Sequence, residues 1–371
     1  MANHRAPVLH LIAGARPNFM KIAPIVRALK EDARLSFKIV HTGQHYDREM
    51  NSVFFEELGI PDPDVHLGSA GGGHARQVAH VMVAYEAYCD ANRPDAVVVV
   101  GDVNSTMACA IVAKKLQIRL AHVEAGLRSG DRGMPEEINR LVTDSISDWF
   151  FVTEPSGVRN LALEGKASEV VHHVGHVMVD NLLFQLDRLS SMDASSFETD
   201  TFKKAHPSYG VVTLHRPSNV DDAATLFRVA QGLKQVAREL PLVFPMHPRT
   251  RACLSRHEID LGPNVCLLGP QGYMSFLHLW KDALVVLTDS GGLQEETTAL
   301  GVPCLTIRDT TERPITVEEG TNTLIGPDPV RMLAEVQNLL VSPRAQTKRR
   351  PLLWDGQSAA RIVEKLARQL L

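Results

Sequence analysis

At 371 residues the chain is long for a single core and comfortable for two domains. With 44% hydrophobic and 22% charged residues it reads as an ordinary soluble globular protein. A formal net charge of −4 argues against a nucleic-acid or anionic-membrane partner, and the one dense basic cluster, TKRR at 347–350, reads as solvated surface.

The amino terminus passes from MANHRAP straight into the strand-like VLHLIAGA, with too few apolar residues ahead of the first glycine for a signal peptide. No hydrophobic stretch approaches the roughly 20 residues of a membrane span. Five scattered cysteines (Cys89, Cys109, Cys253, Cys266, Cys304) with no C-x-x-C pair read as reduced thiols, so a cytoplasmic protein is expected.

Apolar runs then alternate with amphipathic segments. VLHLIAG leads into a helix from about Asn18 to Lys30, FKIVHTG into a helix through DREMNSVFFEELG, and AVVVVGD into STMACAIVAKKLQ. RLAHVEA is followed by PEEINRLVTDSISD, and WFFVTE by a helix near 155–165. GGGHARQ at 71–77 lacks the lysine and hydroxyl of a P-loop and reads as a flexible loop. Uninterrupted apolar strands separated by helices predict a parallel sheet covered on both faces.

The rhythm restarts after residue 207 with GVVTLHR, a helix from about Asp222 to Leu240, PLVFPMH, VCLLGP, ALVVLTDS, the LQEETTALG helix and PCLTIRD. The predicted class is α/β, with one doubly wound domain over 1–180 and a second over 208–355. A polar interdomain link is expected over 181–207 and a terminal helix over 356–371, whose apolar stripe needs a partner.

In a doubly wound sheet ligands bind beyond the carboxyl ends of the strands, so the strand-to-helix turns are the candidate sites. GARPNFMK lacks the G-x-G-x-x-G spacing, so no dinucleotide cofactor is expected, yet it places Arg16 and Lys21 where two cations suit a diphosphate. Asp102 follows VVVVG and Glu124 follows LAHV at adjacent turns, where either could equally be a helix cap. Glu136 sits just behind Pro135 and four residues before Arg140, so an intrahelical ion pair is the plain alternative to a catalytic role.

His45, His215 and His247 close strands and invite a common cleft. His41 with His45, or His172 with His173 and His176, have only loose ligand spacing without H-E-x-x-H or cysteine support, so no metal is expected. In LTDSGGLQEE, residues 287–296, a buried strand gives way to Gly291 and Gly292, then to a helix whose first N–H groups suit a phosphate. Glu295 and Glu296 there either answer the helix dipole or accept the hydroxyls of a ribose.

Taken in order, GARPNFMKIAPI, HTGQHYD, GDVNSTMACA, HVEAGLRSGDRGMPEEINR, VTLHRPSNVD, LTDSGGLQEETTALGVPCL and RDTTERPITVEEGTN resemble the motifs of the non-hydrolysing UDP-N-acetylglucosamine 2-epimerase family over nearly the whole chain. The resemblance implies two Rossmann-like domains facing a cleft (a glycosyltransferase-B-like fold), with the last helix returning to the first domain. It implies that Ser290, Gly291, Gly292 and Glu296 hold phosphates and ribose, and that Arg16 and Phe276 lie near the uracil. Asp102, Glu124, Glu136 and His215 match the family's acid–base positions, while Lys21 and Arg313 line the same cleft. His45, Arg216 and His247 are further substrate-binding candidates.

The C2 hydrogen of an N-acetylhexosamine is not adjacent to a ring carbonyl, so a base alone cannot remove and replace it. Expelling UDP from C1 while a base takes the C2 proton gives a 2-acetamidoglucal, and re-addition with protonation from the opposite face completes the epimerisation. That route needs carboxylates near the sugar and cations plus a helix amino terminus around the diphosphate. Rival readings are a C2 epimerase of a UDP-2,3-diacetamido sugar, a hydrolysing epimerase, a glycosyltransferase of the same fold and a catalytically silent UDP-sugar sensor. Asn18, Pro217, Asp47 and the short SGDRGMPEE loop depart from the best-studied bacterial members, near groups that bind a second, activating UDP-GlcNAc, so such activation is not expected here. A homodimer is implied by the resemblance alone.

Overall fold

The computed structural model describes residues 5–43, 55–68, 72–342 and 350–371. They form two compact units, Met1–Asn181 with Leu352–Leu371, and Leu182–Pro351.

The first unit carries β1 (Val8–Ala13), α1 (Arg16–Glu31), β2 (Ser36–His41), β3 (Val65–His66), α2 (His74–Ala91), β4 (Ala96–Val100) and α3 (Asn104–Lys115). They are followed by β5 (Arg119–Val123), α4 (Pro135–Ile146), β6 (Trp149–Val152), α5 (Pro155–Leu163) and β7 (Val171–His173). All strand pairs are parallel, in the order β3-β2-β1-β4-β5-β6-β7. β4 explains why a pure apolar run makes a strand here. Val98 and Val100 enter the core formed with α1, whereas Val97 and Val99 enter the opposite core, with Tyr85 of α2 and Cys109 of α3. Period-two alternation thus fills two cores. α2 corrects the reading of GGGHARQ as a loop: Gly73 caps the helix and HARQ is its first turn, because the sheet face bearing Val97 needs a cover.

The second unit follows from α6 (Val177–Ser190), which begins in the first, and continues with α7 (Glu198–Ala205), β8 (Gly210–Thr213), α8 (Pro217–Val220), α9 (Ala223–Val236), β9 (Leu242–Pro245) and α10 (Pro248–Arg256). Then come β10 (Val265–Leu268), α11 (Tyr273–Trp280), β11 (Val285–Thr288), α12 (Gly291–Leu300), β12 (Cys304–Thr306), α13 (Pro314–Glu318), β13 (Asn322–Leu324) and α14 (Pro329–Val341). Its parallel sheet runs β10-β9-β8-β11-β12-β13. The stretch 181–207, expected as a link, is largely helical. α7 packs on α11, with Lys203 Nζ donating to the His278 carbonyl at 2.7 Å, so its polar composition reflects a wet helix face.

The terminal helix (Ser358–Leu370) finds its partner in α1: Ile362, Val363 and Leu366 join Ile22 and Ile25 in one core. Three contacts seat it within the first unit. Trp354 is buried with Nε1–H donating to the Thr153 carbonyl at 3.2 Å, and Asp180 Oδ2 accepts the Ala359 N–H at 2.7 Å. Gly175, at φ +88°, lies so close to the Leu353 carbonyl that no β-carbon fits. Among the described residues no helix is long and apolar enough to cross a membrane.

Ile362 is fully buried, so Ile362→Ala should destabilise the first unit by ~2–4 kcal/mol through lost burial and a residual cavity. The fall in the urea midpoint, multiplied by the m-value, should equal that loss.

Candidate active site

Each sheet reverses its winding once. β1 lies between β2 and β4, and β8 between β9 and β11. At such a switch point the outgoing helices cover opposite faces, their turns splay apart, and a crevice opens at the carboxyl ends of the two strands. Most of the candidate residues sit at one or other of these places.

In the first unit Asn18 ties the two turns together. Its Oδ1 accepts the N–H groups of Ala15 (3.0 Å) and Gly14 (3.3 Å), and its Nδ2 donates to the Val100 carbonyl (3.2 Å). A glutamate here could accept the first two bonds but has no hydrogen for Val100. Further along α1, Lys21 pairs with Glu124. Glu124 is buried at 3% exposure and holds φ +69°, a left-handed conformation costly for a residue with a side chain. Its Oε1 is buried and has no hydrogen-bond partner among the described residues. Gly101, at φ +66°, packs against this pair: a β-carbon there would stand 2.8 Å from Lys21 Nζ and 3.5 Å from Glu124 Oε2.

The next residue, Asp102, pairs with Arg140. Arg140 also donates from Nε to Glu137 Oε2 at 2.9 Å, and Glu137 accepts the N–H groups of Ser129 (3.0 Å) and Gly130 (3.1 Å). Burial opposes ionisation of Glu137, but the Ser129 N–H, the guanidinium and the Gly130 N–H outweigh it and hold the carboxyl below its ordinary value. The Glu136–Arg140 pair considered from spacing is therefore not the one formed. Arg140 and Glu137 share the buried face of α4, where a guanidinium must be matched, whereas Glu136 is exposed and makes no hydrogen bond or ion pair among the described residues. Arg16 opens α1, but its side chain, like His45 and Asp47 entirely, lies outside the described residues.

In the second unit the organising group is Asp289, a fully buried carboxylate at the end of β11. It accepts the backbone N–H groups of His215 (3.1 Å) and Arg216 (2.9 Å) and the Asn219 amide (3.2 Å), and it faces His215 Nδ1 at 3.0 Å. The His215 ring is 45% exposed and is held by Nδ1, which leaves Nε2 as its working nitrogen. Burial would raise the Asp289 carboxyl, but the His215 ring and the two backbone N–H groups bring it below its ordinary value. Arg216 Nε is buried without a hydrogen-bond partner among the described residues.

Ser290 caps α12, its N–H donating to Thr288 Oγ1 at 2.9 Å. The space a β-carbon would take at Gly292 is open to 4 Å, and at Gly291 it lies 3.2 Å from an Arg313 guanidinium nitrogen. Arg313 Nε donates to Glu295 Oε1 at 2.5 Å, and Glu296 Oε1 accepts the Tyr273 hydroxyl at 2.9 Å. Burial, then the charge of Glu296, pushes the Tyr273 phenol well above its ordinary range, so it stays a donor. Both glutamates thus have partners beyond the helix dipole. Phe276 is half-buried one turn after Tyr273 on α11. His247 is exposed and caps α10, Nδ1 accepting the Arg249 N–H at 3.2 Å; among the described residues no hydrogen bond joins it to the other candidates.

Asp289, Arg140 and Asn18 carry much of this geometry and were not selected as site residues from sequence. Asp289 had a signal, an acid closing an apolar run as Asp102 does. Among the described residues no three His, Cys, Asp or Glu side chains are grouped to hold a metal ion.

The family model described as UDP-N-acetylglucosamine 2-epimerase matches residues 27–367. A UDP-N-acetylglucosamine 2-epimerase of Methanocaldococcus jannaschii is 38% identical over 96% of this chain and 98% of its own length. A UDP-2,3-diacetamido-2,3-dideoxy-D-glucuronate 2-epimerase of Pseudomonas aeruginosa is 39% identical over the same shares. The crystal structure of the Methanocaldococcus jannaschii UDP-GlcNAc 2-epimerase with UDP-GlcNAc and UDP superposes at a TM-score of 0.85, covering 97% of this chain and 99% of that one at 38% identity. The expected class, two Rossmann-like sheets of the glycosyltransferase-B-like kind, holds.

Because the Asp289 carboxyl is depressed on folding, its stabilisation is complete above the ordinary value of 3.8 and is lost as pH falls through its lower folded value. The stability gap between wild type and Asp289→Asn should therefore close as pH falls below 3.8, read from urea midpoints along an acid series.

Proposed function

The chain belongs to the UDP-N-acetylglucosamine 2-epimerase family, and from that premise we propose that it interconverts UDP-GlcNAc and UDP-ManNAc by eliminating and re-adding UDP. The observation that carries the acid–base assignment is Glu124. It is a buried carboxylate with one oxygen anchored to Lys21 and the other without a hydrogen-bond partner among the described residues, on a strained turn at the end of β5, beside the turn that bears Asp102.

In this reading Glu124 takes the proton from C2 as the C1–O bond breaks and the electron pair leaves with UDP. The 2-acetamidoglucal then accepts a proton on its other face as UDP returns to C1. Asp102, held by Arg140, is the partner acid from the neighbouring turn, and exposed Glu136 exchanges protons with solvent. The leaving diphosphate is held by the first N–H groups of α12 beside Ser290, Gly291 and Gly292, with Arg216 and Arg313 as cations. His215, oriented by Asp289, supplies a donor to it, and Glu296 receives the ribose hydroxyls. Lys21 and Arg16 complete the charge around the sugar and uridine, with Phe276 against the base. His45 and His247 are further contacts.

A second substrate is favoured by one observation: the Pseudomonas aeruginosa relative, named for a UDP-2,3-diacetamido sugar acid, is as similar to this chain as the relative named for UDP-GlcNAc. The same reading includes a cytoplasmic homodimer.

Incubation with UDP-GlcNAc in deuterated water should place deuterium at C2 of both recovered UDP-GlcNAc and UDP-ManNAc. Free ManNAc would instead indicate hydrolysis, and absence of exchange without an acceptor would indicate a transferase. A parallel run with UDP-2,3-diacetamido sugars ranks the substrates by kcat/KM. Glu124→Gln should lower the exchange rate ~10²- to 10⁴-fold with the fold retained.

A further inference from the structure

The ring of His122 belongs to none of the groups discussed so far. It lies on β5, two residues before Glu124, and is fully buried. Nε2 stands 2.9 Å from the Gly101 carbonyl oxygen and Nδ1 stands 2.6 Å from Asp144 Oδ1. A carbonyl has no hydrogen to give, so Nε2 carries one. Asp144, on α4, uses its other oxygen to accept the Gly126 N–H at 3.0 Å and to pair with Arg128 at 2.7 Å. Arg128 is closed in turn by Glu164, through bonds of 2.8 and 2.7 Å.

The two attachment points are Gly101, which immediately precedes Asp102, and Gly126, two residues beyond Glu124. One buried ring and carboxylate therefore grip both acid-bearing turns from beneath. Those turns hold three left-handed residues, Gly101, Glu124 and Gly126, and Glu124 needs external restraint to keep a conformation its side chain disfavours. Packing alone does not account for the pair, because an apolar pair of the same shape would commonly be no less stable.

We propose that His122 is a positioning residue for the acid pair: its Nε2–H bond to the Gly101 carbonyl, oriented by Asp144, sets the spacing between the turns bearing Asp102 and Glu124. This rests on the reading of those two carboxylates as the acid–base groups.

Two amide substitutions separate the ring's two bonds. His122→Gln keeps a donor at the reach of Nε2 and so keeps Gly101, whereas His122→Asn keeps one only at the reach of Nδ1 and loses it. Displaced catalytic groups cost rate more than binding, so His122→Asn should lose ~10- to 100-fold in kcat for C2 exchange with KM within about 2-fold, while His122→Gln keeps most of kcat. Amide hydrogen exchange of a peptide spanning Gly101 and Asp102 should quicken in the asparagine variant and stay near wild type in the glutamine variant. Equal kcat and equal amide protection in the two variants would overturn the proposal, as would a loss confined to KM. If the asparagine variant does not fold, His122→Ser, which also lacks a donor for Gly101, replaces it. Wild-type protein that exchanges no C2 hydrogen on any UDP-hexosamine sinks the functional reading and the catalytic half of this proposal together. The amide measurement still decides whether the ring holds the turn.

Discussion

A parallel strand can be joined to its neighbour only by a crossover, and where the crossovers change direction two strand ends are left with diverging turns. That constraint acts twice in this chain, between β1 and β4 and between β8 and β11. Each time the backbone near the divergence is held by one side chain reaching across it, Asn18 in the first unit and Asp289 in the second. The two solutions differ in charge. The neutral amide of Asn18 stands beside the Lys21–Glu124 pair, whereas the carboxylate of Asp289 gathers N–H groups and aligns a histidine.

The carboxylates of the first unit illustrate how burial distributes roles. Asp102 and Glu124 are each tied to a cation, while Glu136 stays in solvent with no such tie among the described residues. Glu124 is buried beside Lys21, Asp102 is half-buried beside Arg140, and Glu136 is exposed. Three acids close in sequence pattern thus occupy three environments, which is what a reaction that removes and delivers protons asks of them.

Much of this was legible in the residues. The β4 run AVVVV admits few readings other than a strand buried on both faces, and the acids that end β4 and β5 stand where such sheets keep their ligands. α2 was not legible, because its glycine-rich approach resembles a loop and its exposed face dilutes the helical pattern; only the need to cover Val97 and Val99 requires it. Arg140 shows a different limit. Spacing permits an i,i+4 partner and an i,i+3 partner alike, and choosing Glu137 over Glu136 requires knowing which face of α4 is buried. Asp289 closes an apolar run as Asp102 does, but its partners are backbone N–H groups, which leave no mark on side-chain spacing.

The path of the chain has a consequence for its biogenesis. Residues Leu182–Pro351 are contiguous, but the first unit is finished only by Leu352–Leu371, which supply Trp354, Ile362 and Leu366. On the ribosome, the later-translated unit can therefore mature before the earlier one, while α1 waits with an apolar flank uncovered throughout. A nascent polypeptide stalled anywhere short of Trp354 would expose that flank, and it is there that a chaperone would find its purchase.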